Sequence, residues 1–455
     1  MQRPWLKFYD SHVPPHIEYP DILLQQLLDD AADKYPDRVG IFFFGGKVNF
    51  AELRAMANGF AHALREIGLE RGDRLGLLLP NMPQTIISAF GGLKGGVTVF
   101  FFDPLTDEEE LKRQMNETGI ETLVVLDLLL RRVDPIFSKT KLKKFIIAGV
   151  EDFLPFPRNW FFSLAAKGRG IHVKVARKSN IFPFREFLRK GGRDSPGLGQ
   201  PGKPDEPAVV QFTKGKGGRP KPALLTHRNL VANVLQVSAW RGAVEKGRET
   251  ILAIVPFHEA YGMTLSLNLP LYLAASSVHL PRFEPVQFLK ALKSGRPTVF
   301  PAHPSMIEAL AWNSELARFK TRSLHTSYSM GPPLPDEVLQ GFEKKTGTKV
   351  IEGYGLTEAS PLTHANPFGG IRKPGSIGIP LPDTDAMIVD PAGEEKEMPP
   401  GETGELIIRG PQVMKGYWNR VEETEKTLRG GWLHTGDLGR MDEDGFFYVT
   451  GKVKI

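Results

Sequence analysis

Apolar and polar positions along this chain follow two periods that change places repeatedly. Asn49 and Glu52 have capping-box spacing. After them Leu53, Met56, Phe60, Leu64 and Ile67 trace one helical face, and Gly68 ends it. Short apolar runs follow at 75–79, 98–102 and 122–126, with helical stretches at 83–94 and 108–117 between them. Runs of that length predict buried strands, and their alternation with helices predicts a parallel sheet covered on its faces.

Residues 191–207 break the pattern with Gly, Pro and charge, as a linker does. A second alternating series then predicts strands at 208–212, 251–255, 277–280, 298–300, 324–329 and 349–354, and helices at 227–240, 285–293 and 336–345. From Arg372 onward Gly and Pro recur, and short strands such as 386–389 and 405–409 have no helices between them. The fold class expected is α/β: two α/β lobes with mainly parallel sheets plus a small C-terminal β-barrel-like unit. The expected divisions are a first lobe over 1–192, a linker over 193–207, a second lobe over 208–371 and the β unit over 372–455. A strand-like stretch at 446–449 runs almost to the end, which predicts that a further C-terminal domain is absent.

Composition narrows the function. The 455 residues are 41% hydrophobic, ample for a core, and the net charge of +6 suits anionic small molecules better than nucleic acid. There are no cysteines, which excludes disulfides, thiol catalysis and zinc–thiolate sites. The N-terminus lacks the apolar core of a signal peptide, and no apolar run approaches bilayer length. A cytoplasmic protein is expected, with peripheral membrane contact left open; nothing fixes the oligomeric state.

The densest chemistry lies at 208–229. The predicted strand 208–212 opens into a loop carrying Gly215, Gly217 and Gly218 with Lys214, Lys216, Arg219 and Lys221, before Thr226 caps a helix. Glycines bring backbone N–H groups close to a polyanion, and the basic side chains supply charge, so the loop reads as a triphosphate or pyrophosphate site. It is not a Walker loop, because Pro220 stands where the glycine before the lysine belongs, nor a dinucleotide fingerprint, because the third glycine is missing.

Three later blocks complete the pattern: Glu352-Gly353-Tyr354-Gly355-Leu356-Thr357-Glu358-Ala359-Ser360-Pro361, Gly416-Tyr417-Trp418-Asn419, and Trp432-Leu433-His434-Thr435-Gly436-Asp437. In this order and separation they resemble the adenylate-forming superfamily, most of all its long-chain fatty acyl-CoA synthetase branch. Pro20-Asp21, Tyr35-Pro36-Asp37 and Leu79-Pro80-Asn81 extend the similarity over essentially the whole chain. The resemblance implies ATP-driven activation of a carboxylic acid, such as a fatty acid, to an acyl-adenylate, then transfer to coenzyme A, with Mg2+ as cofactor. It implies that Glu358 is the Mg2+ ligand, that Thr357 contacts the α-phosphate and that Asp437 accepts the ribose hydroxyls. Thr213, Lys214, Gly215, Lys216, Gly217, Gly218 and Lys221 would lie along the phosphates. Gly331, Pro332, Tyr354 and Gly355 would lie around the adenine and the acyl entrance, and Lys452 beside the ribose.

Three departures bear on function. Lys214 and Lys216 replace small polar loop positions, Gly217 replaces a hydroxyl, and Pro222 replaces the closing glycine. In Pro256-Phe257-His258-Glu259-Ala260-Tyr261-Gly262, Glu259 holds the family's histidine position, and His258, one place early, is expected to be packed or solvated rather than catalytic. Lys452 replaces an arginine, and Ile455 falls where a hinge aspartate is expected. A non-catalytic homologue that binds nucleotide or acyl-adenylate is therefore the alternative, with an aryl-CoA ligase or luciferase-like enzyme as a third reading and nucleic-acid binding the weakest.

Overall fold

The structure is a computed structural model that describes residues 3–160, 179–192, 198, 202–213, 219–242, 244–318, 321–391 and 396–453. Among these residues the strand–helix alternation builds two large sheets and one small one. The first has eight strands, in the order Gly416–Tyr417, Pro222–Thr226, Pro207–Phe212, Thr98–Phe101, Arg74–Leu78, Thr122–Leu126, Lys144–Ala148 and Ile181–Pro183. From Pro207–Phe212 to Ile181–Pro183 every pairing is parallel. Leu75, Val99, Phe100, Val124 and Ile146 are wholly buried, as a parallel sheet covered on both faces requires.

The second sheet has nine strands: Ile379–Pro380, Leu362–Ala365, Lys349–Gly355, Thr326–Met330, Val299–Ala302, Thr250–Ala253, Ser276–His279, Val39–Phe43 and Gly46–Asn49. It is parallel in the middle and antiparallel at both rims. The region after Arg372 contributes a five-stranded antiparallel sheet built from Asp385–Val389, Gly404–Arg409, Trp432–Met441, Leu428–Arg429 and Phe447–Lys452.

Sheet membership crosses the division expected at 193–207. The hairpin 39–49 lies on the rim of the second sheet, with Ile41 opposite Ser277 and Phe42 opposite Val278. Pro207–Phe212 and Pro222–Thr226, after the expected linker, complete the first sheet. Parallel pairing joins strands through long crossovers, so a strand's partner is set by matching faces and not by nearness in the chain.

The Asn49–Glu52 capping box is present. The Asn49 side chain accepts the Glu52 N–H at 2.7 Å and the Glu52 carboxylate accepts the Asn49 N–H at 2.9 Å, opening the helix Phe50–Glu66. Asn81 is buried and ties the two large sheets together. Its Nδ2 donates to the carbonyls of Ala253 (3.2 Å) and Val255 (2.8 Å), and its Oδ1 accepts the Phe257 N–H at 2.9 Å. Gln211, near the end of the strand Pro207–Phe212, donates to the Phe257 carbonyl at 3.0 Å. Two buried amides therefore fix segment 256–262 against the first sheet, and removing either leaves buried backbone groups without partners, at a cost of about 1–3 kcal/mol each.

Candidate active site

The site is assembled where the strand Lys349–Gly355 ends. Met330 pairs with Gly353, so Gly331 and Pro332 emerge beside Tyr354 and Gly355. Gly331 has φ +133°, a conformation that favours glycine. Gly355 is needed for close approach: a Cβ there would lie 2.3 Å from the Pro361 carbonyl oxygen, the acceptor of the Leu356 N–H at 3.2 Å. The chain then makes the short 3-10 turn Thr357–Ala359, which leaves the Thr357 and Glu358 side chains half-buried. The Thr264 hydroxyl donates to the Ser360 carbonyl and anchors the turn from below.

Asp437 is reached from the third sheet. It is buried on the strand Trp432–Met441, where its N–H donates to the Thr435 hydroxyl at 3.0 Å and that hydroxyl donates to the Leu406 carbonyl at 2.6 Å. Its Oδ2 accepts the Tyr354 phenol at 2.6 Å, and its Oδ1 pairs with Lys452 from the neighbouring strand. Burial, and then the Asp437 charge, push the Tyr354 phenol far above its ordinary range, so it remains a donor.

Glu358 is held from another direction. Its Oε1 accepts the Tyr417 phenol at 2.7 Å, and its backbone carbonyl accepts the Met414 N–H at 2.8 Å. Tyr417 stands on the short strand Gly416–Tyr417, which pairs with Pro222–Thr226. The Lys221 ammonium lies 5.0 Å from the centre of its ring. No group of three or more His, Asp or Glu capable of holding a metal occurs among the described residues. A lone hard-oxygen donor of this kind fits Mg2+, which keeps waters and phosphate oxygens and is bound through one or two carboxylates.

The loop differs from the expected strand–loop–helix. Pro222–Thr226 is itself a strand, antiparallel to Pro207–Phe212, so the loop joins a hairpin. The helix begins afterwards at His227, with Thr226 and Asn229 forming its capping box. At the loop's base Thr213 and Lys221 lock together: the Thr213 N–H donates to the Lys221 carbonyl at 2.9 Å and the Lys221 N–H to the Thr213 hydroxyl at 3.0 Å. Lys214, Gly215, Lys216, Gly217 and Gly218 lie outside the described residues.

In segment 256–262 His258 and Glu259 each face a titratable partner. His258 Nε2 lies 3.5 Å from Asp103 Oδ1. His303 Nε2 lies 3.1 Å from Glu259 Oε2, while His303 Nδ1 is 3.3 Å from the Met330 carbonyl. His303 carried no sequence signal, because its partner Glu259 is 44 positions away, at the N-cap of the short helix Ala260–Gly262. Tyr261 is fully enclosed: its oxygen donates towards the Ala302 and Tyr328 carbonyls and accepts the Ala302 N–H at 2.9 Å. The structure thus gathers Tyr354, Asp437 and Lys452 into one cluster and Glu358 and Lys221 into a second, linked by Tyr417, whose role the motif did not reveal. Gly331, Pro332 and Gly355 lie on the adjoining strand ends.

Comparisons with known proteins identify the family and the fold. The sequence model of the family described as AMP-binding enzyme matches residues 28–418. The long-chain-fatty-acid–CoA ligase of Bacillus subtilis is 40% identical over 453 residues, covering 100% of this chain and 80% of that protein. The ligase of the same name from Escherichia coli is 32% identical over 463 residues, covering 100% and 81%. The crystal structure of a long-chain-fatty-acid-CoA ligase from Archaeoglobus fulgidus superposes with a TM-score of 0.83 at 23% identity, over 98% of this chain and 87% of that one, and shows the shared fold. The chain belongs to the AMP-binding, adenylate-forming enzymes, in their fatty acyl-CoA synthetase branch.

Proposed function

We propose that the chain is an AMP-forming long-chain-fatty-acid–CoA ligase whose nucleotide site is the seam between Glu358 and Asp437. A fatty carboxylate attacks the α-phosphate of ATP, giving acyl-adenylate and pyrophosphate, and coenzyme A thiol then displaces AMP. The obstacle in the first step is the meeting of two anions, which requires fixed positive charge and an in-line geometry. Lys221 at the loop base supplies charge, and the loop lysines Lys214 and Lys216 are assigned the same task. Thr357 is assigned the α-phosphate. Asp437 accepts the two ribose hydroxyls, and Tyr354 orients that carboxylate. Glu358 would hold Mg2+, which neutralises phosphate charge when bound. Gly331 and Pro332 form the adenine face, and Lys452 stands beside the ribose.

The observation that carries the residue assignment is the convergence of two separately braced carboxylates on one strand end, with Lys221 next to one of them. No helix among the described residues is long and apolar enough to cross a membrane. Phe156 and Trp160 are 84% and 58% exposed, a surface suited to peripheral contact with the membrane from which a fatty substrate comes. Calorimetric titration with non-hydrolysable acyl-adenylate analogues of short and long chain tests the reading. Affinity that rises with chain length is the expected result; absence of binding by the folded protein would overturn it.

A further inference from the structure

We infer that Tyr417 is a positioning residue that couples the metal-side carboxylate to the phosphate-side lysine. The inference rests on the assignment of Glu358 and Lys221 above and extends it to a side chain not otherwise given a role. The geometry is bifunctional. The phenol oxygen donates to Glu358 Oε1 at 2.7 Å, and the face of the same ring carries the Lys221 ammonium 5.0 Å from its centre. A cation within about 6 Å of an aromatic centroid is held by the ring quadrupole. One rigid side chain with two torsions therefore sets the separation of a negative and a positive group.

Tyr417 is itself firmly held. It is 7% exposed, pairs with Ala223 across the sheet, and its N–H donates to the Thr424 hydroxyl at 2.9 Å. The next residue, Trp418, donates its N–H to the Pro222 carbonyl at 2.7 Å and packs edge-on against Phe100 at 5.2 Å. Arg420 ties the segment to Glu117 on the helix Glu108–Thr118, and Arg113 of that helix donates to the Pro220 carbonyl at 3.0 Å in the loop's exit. The loop exit and the Tyr417 segment thus share one brace. Burial, with the Glu358 charge second, pushes the Tyr417 phenol well above its ordinary range, so it stays a donor. A neutral donor orients Glu358 without cancelling its charge, whereas an ammonium in that place would compete with a cation.

The test is binding, read by calorimetry on the full chain, with Mg·ATP and metal-free AMP as probes and Mn2+ resonance as a second readout of the ion. Tyr417→Phe keeps the ring beneath Lys221 and removes the hydrogen bond. It is expected to weaken Mg·ATP and Mn·ATP by about 10-fold, the worth of one hydrogen bond to a charged group, and to leave AMP unchanged. Tyr417→Leu also removes the ring and is expected to weaken Mg·ATP further, again sparing AMP. Glu358→Gln is the control. If Glu358→Gln weakens Mg·ATP but Tyr417→Phe does not, or if Tyr417→Phe weakens AMP equally, the positioning role is overturned. If Glu358→Gln changes nothing, the assignment of Glu358 fails and takes this inference with it. Melting curves of each variant separate loss of binding from loss of fold.

Discussion

Asp437 and Glu358 each accept a hydrogen bond from a tyrosine phenol, yet their other surroundings differ. Asp437 has both oxygens engaged, one by the Tyr354 phenol and one by the Lys452 ammonium, so a cation already faces it. Glu358 is oriented by the Tyr417 phenol, a neutral donor. A compensated carboxylate is a good acceptor for neutral hydroxyls, and an uncompensated one is a good ligand for a cation. Two acidic residues on neighbouring elements thus acquire different chemistry from the company they keep.

Four substitutions or conditions would break or sharpen that contrast. The largest effect is expected from Glu358→Gln, which removes the uncompensated charge and should lower kcat/KM for Mg·ATP by about 100-fold or more, as loss of a transition-state charge contact does; steady-state kinetics with varied Mg2+ would read it. Asp437→Ala should raise the KM for ATP by about 10- to 100-fold with a smaller change in kcat, from the loss of one or two hydrogen bonds to a charged group. The difference between ATP and 2′-deoxyATP should shrink in that variant.

The third prediction concerns pH. His364 is buried, and its ring lies edge-on to Tyr354 at 6.0 Å and to Phe447 at 4.8 Å. Burial lowers its pKa from the ordinary 6.5 to about 3, so it is neutral in the folded chain. The unfolded chain takes up that proton first on acidification. The stability His364 contributes is therefore full above about pH 6.5 and is lost progressively as pH falls towards 3. Melting temperature should drop between pH 7 and 4, and His364→Gln should flatten the drop; the Asp437 side is the one exposed to this titration. The smallest effect is expected from Lys452→Met. The lysine side chain is 56% exposed, so its pair with Asp437 should add no more than about 1 kcal/mol to stability. Denaturant unfolding would measure that, and a rise in the Asp437 side's preference for cations would confirm the compensation argument.

Much of the fold was legible in the sequence because its signals are local. The capping boxes at Asn49–Glu52 and at Thr226, the helical face from Leu53 to Leu64, and the strand-length runs at 122–126 and 349–354 depend only on neighbours. The motif around Glu358 was legible for the same reason. What escaped were pairings across the chain. Pro222–Thr226 looks like the tail of a loop because it opens with proline, and only its partners Pro207–Phe212 and Gly416–Tyr417 make it a strand. His303 beside Glu259, and Tyr417 between Glu358 and Lys221, are contacts between segments that follow or flank different strands, and their proximity depends on sheet order.

That sheet order also governs how the chain can be made. Val39–Phe43 is made well before its partner: Ile41 finds Ser277 only when that residue has been synthesised, and the eight-stranded sheet gains its edge strand only with Gly416–Tyr417. The strands of the two large sheets interleave along the chain, 39–49 and 250–380 for one and 74–226 and 416–417 for the other. Until residue 277 is made the hairpin 39–49 must wait, and until residue 417 is made a sheet edge stays open, which makes folding slow and dependent on long-range closure. Tyr417 is among the last of these pieces to arrive, so its contacts with Glu358 and Lys221 form only as the strand Gly416–Tyr417 joins the eight-stranded sheet.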